Sequence, residues 1–396
     1  MLAERMKNFA SSQTSGMRNK AKQLRERGID VINFAAGELD LPTSPAIKQA
    51  VREAIDADCT QYTDTLGIRP LRERLAERVS RSTGIAYSAE EVGVTAGAKQ
   101  ALYNAAMVLF EPGCEVIIPA PYWVTFPVQI ALAGATPVFL PTESNDFQID
   151  LAELAGRITS RTRGIILNTP HNPTGVVYGR STLEGIAALA IKHDFMVIFD
   201  ECYEQLVYPP HEHHNIVRLV PEMKNRTVLV NSFSKTYCMT GWRAGFISAP
   251  KEIVKAASNL QGHVTSNPSN LAQYGALAAL DAVNEPFLKN VQEVLRARRE
   301  CALKLIHQIP HVRCTIPQGS FYLFPDVSQL LGRRHKGRPT TDVDALAELL
   351  LEEAHVAVVA GSAFGSDRHV RISYAVSTKD VEEGLVRIRR FVEGLE

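Results

Sequence analysis

The stretch Val228 to Arg243, VLVNSFSKTYCMTGWR, holds the residues best suited to chemistry. An apolar run, Val228-Leu229-Val230, breaks into Asn231, Ser232 and Ser234, then Lys235, and Arg243 follows a Gly-Trp turn. Hydroxyls before the amine and a guanidinium after it can together hold a phosphate, since both donate hydrogen bonds and the guanidinium adds charge. An amine beside a phosphate site is what a cofactor aldehyde held as a Schiff base requires. Ser-x-Lys alone is a short pattern that a solvated loop lysine also satisfies, so its meaning depends on partners elsewhere.

Such partners follow other apolar runs. After Glu91-Thr95 comes Ala96-Gly97-Ala98-Lys99-Gln100, a small-residue turn entering a helix, whose free N–H groups attract an anion. After Gly164-Asn168 comes the rigid polar turn Thr169-Pro170-His171-Asn172-Pro173-Thr174-Gly175. The run Phe195-Asp200 ends in an acid, with Tyr203 close behind. Each alone reads as a turn or a cap. In sequence order, each at a strand end, they read as one site.

The elements needed to position them are legible in the hydrophobic pattern. Strand-length apolar runs at Val92-Val94, Glu115-Pro119, Pro137-Leu140, Gly164-Asn168, Phe195-Asp200, Thr227-Val230 and Gly245-Ser248 alternate with helical periodicity at 99–110, 124–133 and 182–193. That alternation predicts an α/β fold in which helices cover a mostly parallel seven-stranded sheet, and ligands of such sheets bind beyond the carboxyl ends of the strands. Ser181 with Glu184 reads as a capping box opening the last of those helices. Upstream, helices are expected over 17–28, from Pro45 with Ser44 as cap, and over 71–83, with a strand at 31–34. Downstream, a long amphipathic helix over 286–309 leads into strands near 312–315, 320–324, 356–359 and 370–374, a helix over 342–353 and a last one from Thr378. We expect three segments: an arm at 1–44 contributing to a smaller α+β domain, a large cofactor-binding domain at 45–284, and the rest of the small domain at 285–396.

Composition narrows the function. The 396 residues are 45% hydrophobic and 22% charged, with 43 basic and 43 acidic side chains, so nothing favours nucleic acid. The run Arg333 to Arg338 reads as a solvated loop. No secretory h-region and no apolar stretch of membrane-spanning length occurs, so no membrane partner is expected. Six cysteines without CxxC pairs suit a reducing cytoplasm. The cluster His211-Glu212-His213-His214 lacks metal-site spacing and is read as a solvated loop, with no metal expected. Neither GxGxxG after a strand nor a phosphate-binding GxxxxGK[ST] is present.

The strings AGAKQALYNA, PGCEVIIPAPYWV, NTPHNPTGVVY, DECYEQLVY, SFSKTYCMTGWRAGF, PQGSFYLFPD and HVRISYA run colinearly through nearly the whole chain. Together they resemble the fold-type I pyridoxal-phosphate aminotransferases of class I/II, near the bacterial aspartate aminotransferases. The resemblance implies that Lys235 bonds covalently to the cofactor aldehyde and later shuttles the proton. It implies that Asp200 pairs with the pyridinium nitrogen, that Asn172 and Tyr203 bind the ring's phenolic oxygen, and that Trp123 stacks on the ring. Ala98, Lys99, Ser232, Ser234 and Arg243 would surround the phosphate, joined by Tyr62 from a neighbouring subunit, which implies a homodimer with shared sites. Arg371 would grip the substrate α-carboxylate, with Gly37, Trp123 and Asn172 lining the same pocket.

The implied reaction is transamination between an L-amino acid and a 2-oxo acid, with aspartate or glutamate and 2-oxoglutarate as the first expectation. Alternatives are aromatic, sulfur-containing or other apolar amino acids, or lyase or cyclase chemistry on a specialised amino acid. A non-enzymatic regulator would need a DNA-binding domain, for which residues before Gly37 leave no room. Two departures bear on specificity: Gly37-Glu38-Leu39-Asp40-Leu41 replaces the usual Gly-Glu-Pro-Asp-Phe, and His171 occupies the Asn-Pro-Thr-Gly turn.

Overall fold

The computed structural model describes residues 13–396. In chain order the first elements are α1 (Gln13–Glu26), β1 (Ile32–Asn33), α2 (Pro45–Asp56), α3 (Arg69–Thr83), β2 (Val92–Thr95), α4 (Ala98–Leu109), β3 (Glu115–Ala120), α5 (Thr125–Leu132) and β4 (Thr136–Pro141). They are followed by α6 (Leu151–Arg157), β5 (Thr162–Asn168), α7 (Arg180–His193), β6 (Met196–Asp200), α8 (Ile216–Leu219), β7 (Thr227–Ser232), β8 (Gly245–Ser248), α9 (Lys251–Val264) and α10 (Asn270–Ala279). The C-terminal part holds α11 (Glu285–Ile306), β9 (Tyr322–Leu323), β10 (Arg334–His335), β11 (Arg338–Pro339), α12 (Val343–Glu353), β12 (Val356–Ala357), β13 (Val359–Ala360), β14 (Val370–Ser373) and α13 (Thr378–Glu393).

The seven expected strands form one sheet in the order β2-β8-β7-β6-β5-β3-β4. Pairs from β7 to β4 are parallel, and β8 runs antiparallel to both neighbours. Strands β2, β6, β7 and β8 are almost wholly buried, as their continuous apolar runs require when helices cover both faces. The register sets Asn168 beside Asp200 and Asp200 beside Val230, so the polar ends of β5, β6 and β7 lie abreast.

A second packed body joins the two ends of the chain. β1 pairs in parallel with β12, and a three-stranded sheet runs β13-β14-β9. Ile32 and Phe34 pack with Leu295 of α11, Leu346 of α12, Ile372 of β14 and Leu385 of α13. Arg371 sits mid-strand in β14, opposite Val359, and its neighbour Ile372 is opposite Leu323. Alternation therefore turns Arg371 and Ile372 to opposite faces.

Several local expectations are corrected. Helix α7 begins at Arg180 with Gly179 as its cap, so Ser181 and Glu184 lie inside the helix, and Glu184 pairs with Arg180 instead. The capping box that forms is Ser88 with Glu91. Residues 312–315 make no strand; Arg313 forms one bridge to Asp326. The basic run at 333–338 folds into the β10–β11 hairpin, where Lys336 and Arg338 pair with Glu353 and Glu352.

Candidate active site

A cavity of about 450 Å³ opens where these strand ends meet the second body. Gly37, Ala98, Lys99, Trp123, Asn172, Asp200, Tyr203, Ser232, Ser234, Lys235, Arg243 and Arg371 all line it. Tyr62 does not. It is 89% exposed and lies in a separate depression with Thr265 to Leu271. Sequence reasoning missed Arg18, Glu38, Asn168, Cys202, Thr240, Gly241 and Tyr322, which also line the cavity. Position signalled some of these: Asn168 ends β5, and Thr240-Gly241 lie between Lys235 and Arg243. A larger cleft of about 1240 Å³ between Tyr122, Glu143, Arg313 and His369 contains no lysine.

The site has three regions. At one end, α4 begins at Ala98 after Gly97, whose φ of +79° favours glycine. Arg243 packs so closely on Gly97 that a Cβ there would sit 2.6 Å from Nη2. Its guanidinium donates to the carbonyls of Thr240 at 2.9 Å and Ala96 at 3.2 Å. With Ser232 at the end of β7 and Ser234 just beyond it, this end of the cavity presents donors and positive charge, as an anion site requires.

In the middle, Asp200 is buried, and the Cys202 amide donates to its Oδ1 at 3.0 Å. Burial raises its pKa to about 6, opposed in part by the Cys202 hydrogen bonds and Lys235. Lys235 donates to the Gly37 carbonyl, and burial lowers its pKa to about 8. Its amine is thus more readily neutral, hence nucleophilic, than an ordinary lysine. Tyr203 shares a hydrogen bond with Tyr322 at 3.1 Å, and burial raises both phenols. The Lys99 ammonium lies 5.0 Å over the Trp123 ring; desolvation and the Arg243 charge lower its pKa.

At the far end Arg371 is 2% exposed. It donates to Asn172 Oδ1 at 3.1 Å and the Ala35 carbonyl at 2.9 Å, between the rings of Tyr322 and Phe364. Asn172 is itself held by its amide, which donates to Asn168 Oδ1 at 2.8 Å. Arg371 Nε is buried with no hydrogen-bond partner. An orphaned guanidinium donor in a closed apolar slot calls for an anionic ligand.

Behind Asp200, His213 was expected in a solvated loop. Its ring instead meets Glu201 at 2.7 Å, close to Glu204, which Arg78 neutralises. Those hydrogen bonds and charges raise His213 against the opposing effect of burial.

Comparison with known proteins agrees with this arrangement. The family model for aminotransferase class I and II matches residues 29–388. The chain belongs to the class I and II aminotransferases. Curated relatives of this aminotransferase include the aspartate aminotransferase of Bacillus subtilis, 40% identical over 99% of both chains. Another is the aspartate/prephenate aminotransferase of Cereibacter sphaeroides, 40% identical over 100% of this chain and 99% of that one. The solved aspartate aminotransferase from Thermus thermophilus with maleate superposes with a TM-score of 0.93 at 36% identity, covering 99% of each chain. The aminotransferase is a pyridoxal-phosphate-dependent enzyme acting on an amino acid and a 2-oxo acid.

The residues present fit that cofactor. A buried carboxylate with a raised pKa needs a cationic partner, which a protonated pyridine supplies. The Gly97–Arg243 cradle suits a phosphate, and a lysine with a lowered pKa suits an aldehyde. Arg371, which lines the cavity and has an unpaired Nε, is paired with no carboxylate among the described residues.

Proposed function

We propose that the enzyme moves the amino group of aspartate or glutamate to a 2-oxo acid, with 2-oxoglutarate the first acceptor to test. The observation that carries this reading is the convergence of Lys235, Asp200 and Arg371 in one cavity, with cations left over for a second carboxylate. A relative solved with maleate, a dicarboxylic acid, supports the same reading.

When bound, pyridoxal phosphate supplies a conjugated ring that accepts electrons from the substrate Cα. In our reading, Ser232, Ser234, Arg243 and the Ala98 and Lys99 amides hold its phosphate. Asp200 keeps a proton on the ring nitrogen by remaining ionised beside it. Asn172 and Tyr203 orient the phenolic oxygen, and Trp123 covers one ring face. Arg371 fixes the α-carboxylate in a bidentate grip, which aims the Cα hydrogen at Lys235. The Lys235 amine takes that proton, then returns one to Cα when the second substrate reacts in reverse. The ammonium of Lys99 rests on Trp123 and meets no carboxylate among the described residues, which leaves it free to face a substrate side-chain carboxylate. Gly37 must stay small because a Cβ would meet the Tyr322 hydroxyl at 2.8 Å.

We assign residues 45–284 to the cofactor-binding domain and 1–44 with 285–396 to the smaller one. We further propose a homodimer in which Tyr62 reaches the phosphate of the neighbouring copy; its exposure outside its own cavity supports this. A cytoplasmic location is supported by six free cysteines, and no helix among the described residues is long and apolar enough to cross a membrane.

The test is a panel of amino acids added singly to the pure enzyme. Aspartate and glutamate should convert the bound cofactor to its amino form, seen by absorbance, with stoichiometric 2-oxo acid. Ammonia release without that conversion would overturn transamination.

A further inference from the structure

We propose that Arg18, on the N-terminal helix, is a specificity-determining residue that selects substrates carrying a side-chain carboxylate. This rests on the reading of the cavity as a transaminase site for acidic amino acids. Arg18 lines the mouth of that cavity together with Glu38, Thr240 and Gly241. Helical spacing allows it: Met17, Ala21 and Leu24 form the inward face of α1, and Arg18, next to Met17, sits at the edge of that face where the cavity opens.

The other cations of α1 are engaged. Lys20 pairs with Glu348 at 2.7 Å, Lys22 faces Glu26 at 3.8 Å, and Arg25 donates to the Val31 carbonyl at 2.7 Å. Arg18 makes no hydrogen bond or ion pair among the described residues. Glu38, an acid lining the same cavity, accepts from the Thr240 hydroxyl at 3.0 Å. Of the remaining cavity cations, Arg371, Lys235 and Arg243 have roles at the α-carboxylate, the proton and the phosphate. Lys99 and Arg18, which line the same cavity, are left to meet the substrate side chain. A distal carboxylate between them gains a second charge partner, whereas a neutral side chain leaves Arg18 with nothing to bind.

Arg18 is exposed, so its contribution is moderate and weakens with salt. The experiment compares kcat/KM for aspartate, glutamate and alanine in the wild-type holoenzyme, Arg18→Ala and Arg18→Lys, with the Kd of maleate as a binding readout. In Arg18→Ala, kcat/KM for both acidic substrates should fall about tenfold, mostly through KM, and maleate should bind about tenfold more weakly. Alanine should be unaffected, Arg18→Lys should restore part of the loss, and added salt should narrow the difference. An equal fall for alanine would make Arg18 structural and overturn the proposal. So would unchanged acidic-substrate kinetics in an enzyme that still prefers them. A wild-type enzyme without any preference for acidic substrates would sink the substrate reading itself, and this proposal with it.

Discussion

At the residue scale, Asp200 shows how function and stability oppose each other. Its pKa of about 6 lies above the ordinary 3.8 because burial disfavours the charge. The folded state therefore holds the proton more tightly than the unfolded chain. Ionising Asp200 costs stability; the cost is fully present above about pH 6 and absent below about 3.8. Asp200→Asn keeps an acceptor for the Cys202 amide and removes the buried charge. In the cofactor-free enzyme at pH 7 it should raise unfolding stability by about 1–3 kcal/mol, fading as pH falls toward 4. Urea melts across pH check this, and the same variant should lose most cofactor affinity and activity. Candidate positions were legible in the sequence where a polar residue ended an apolar run, as with Asp200 and Ser232; Asn168 ends such a run too and was passed over. His213 was not legible, since its partner Glu201 becomes a neighbour only after the chain folds back.

At the element scale, the seven strands were legible because buried parallel strands are continuous apolar runs with little else to be. Direction is less visible. Strand β8 is antiparallel because the twelve-residue loop from Ser232 to Gly245 holds no α-helix to carry the chain back across a face, so it returns at the same end of the sheet. Helices α6, α9 and α10 escaped notice, although Asp150 and Ser269 cap α6 and α10 with side-chain hydrogen bonds. The capping motif at Ser181 failed because Gly179 already takes the extended cap conformation two residues earlier. The β8–α4 junction carries a prediction. A Cβ on Gly245 would lie 2.6 Å from the backbone nitrogen of Ala98 and from the Gly97 carbonyl carbon, neither of which can yield. Gly245→Ala should therefore push the start of α4 away from Arg243 and raise the cofactor Kd about tenfold or more, with circular dichroism little changed. Equilibrium dialysis of the cofactor measures it.

At the scale of the whole molecule, the two-body architecture was legible from the change in texture after Pro268, and a small body built from both chain ends was expected; the β1–β12 pairing itself was not legible, since β1 is only two residues long. The proposed dimer gives the sharpest test at this scale. If Tyr62 serves the neighbouring site, subunits with Lys235→Ala and subunits with Tyr62→Ala are each defective alone. Mixed and reassociated in equal amounts, half the dimers would be hybrids, each with one intact site, giving about a quarter of wild-type activity. If Tyr62 serves its own chain, mixing restores nothing. The strand that carries Arg371 has a further consequence for anyone preparing this protein. Because side chains alternate along β14, a pairing slip of one residue between the small-sheet strands would swap arginine for an aliphatic side chain in the substrate slot. In the proposed arrangement the other body grips the cofactor almost wholly, so such molecules would still be yellow. Colour then counts folded large domains, and only titration with a slow substrate or a tight dicarboxylate inhibitor counts working enzymes.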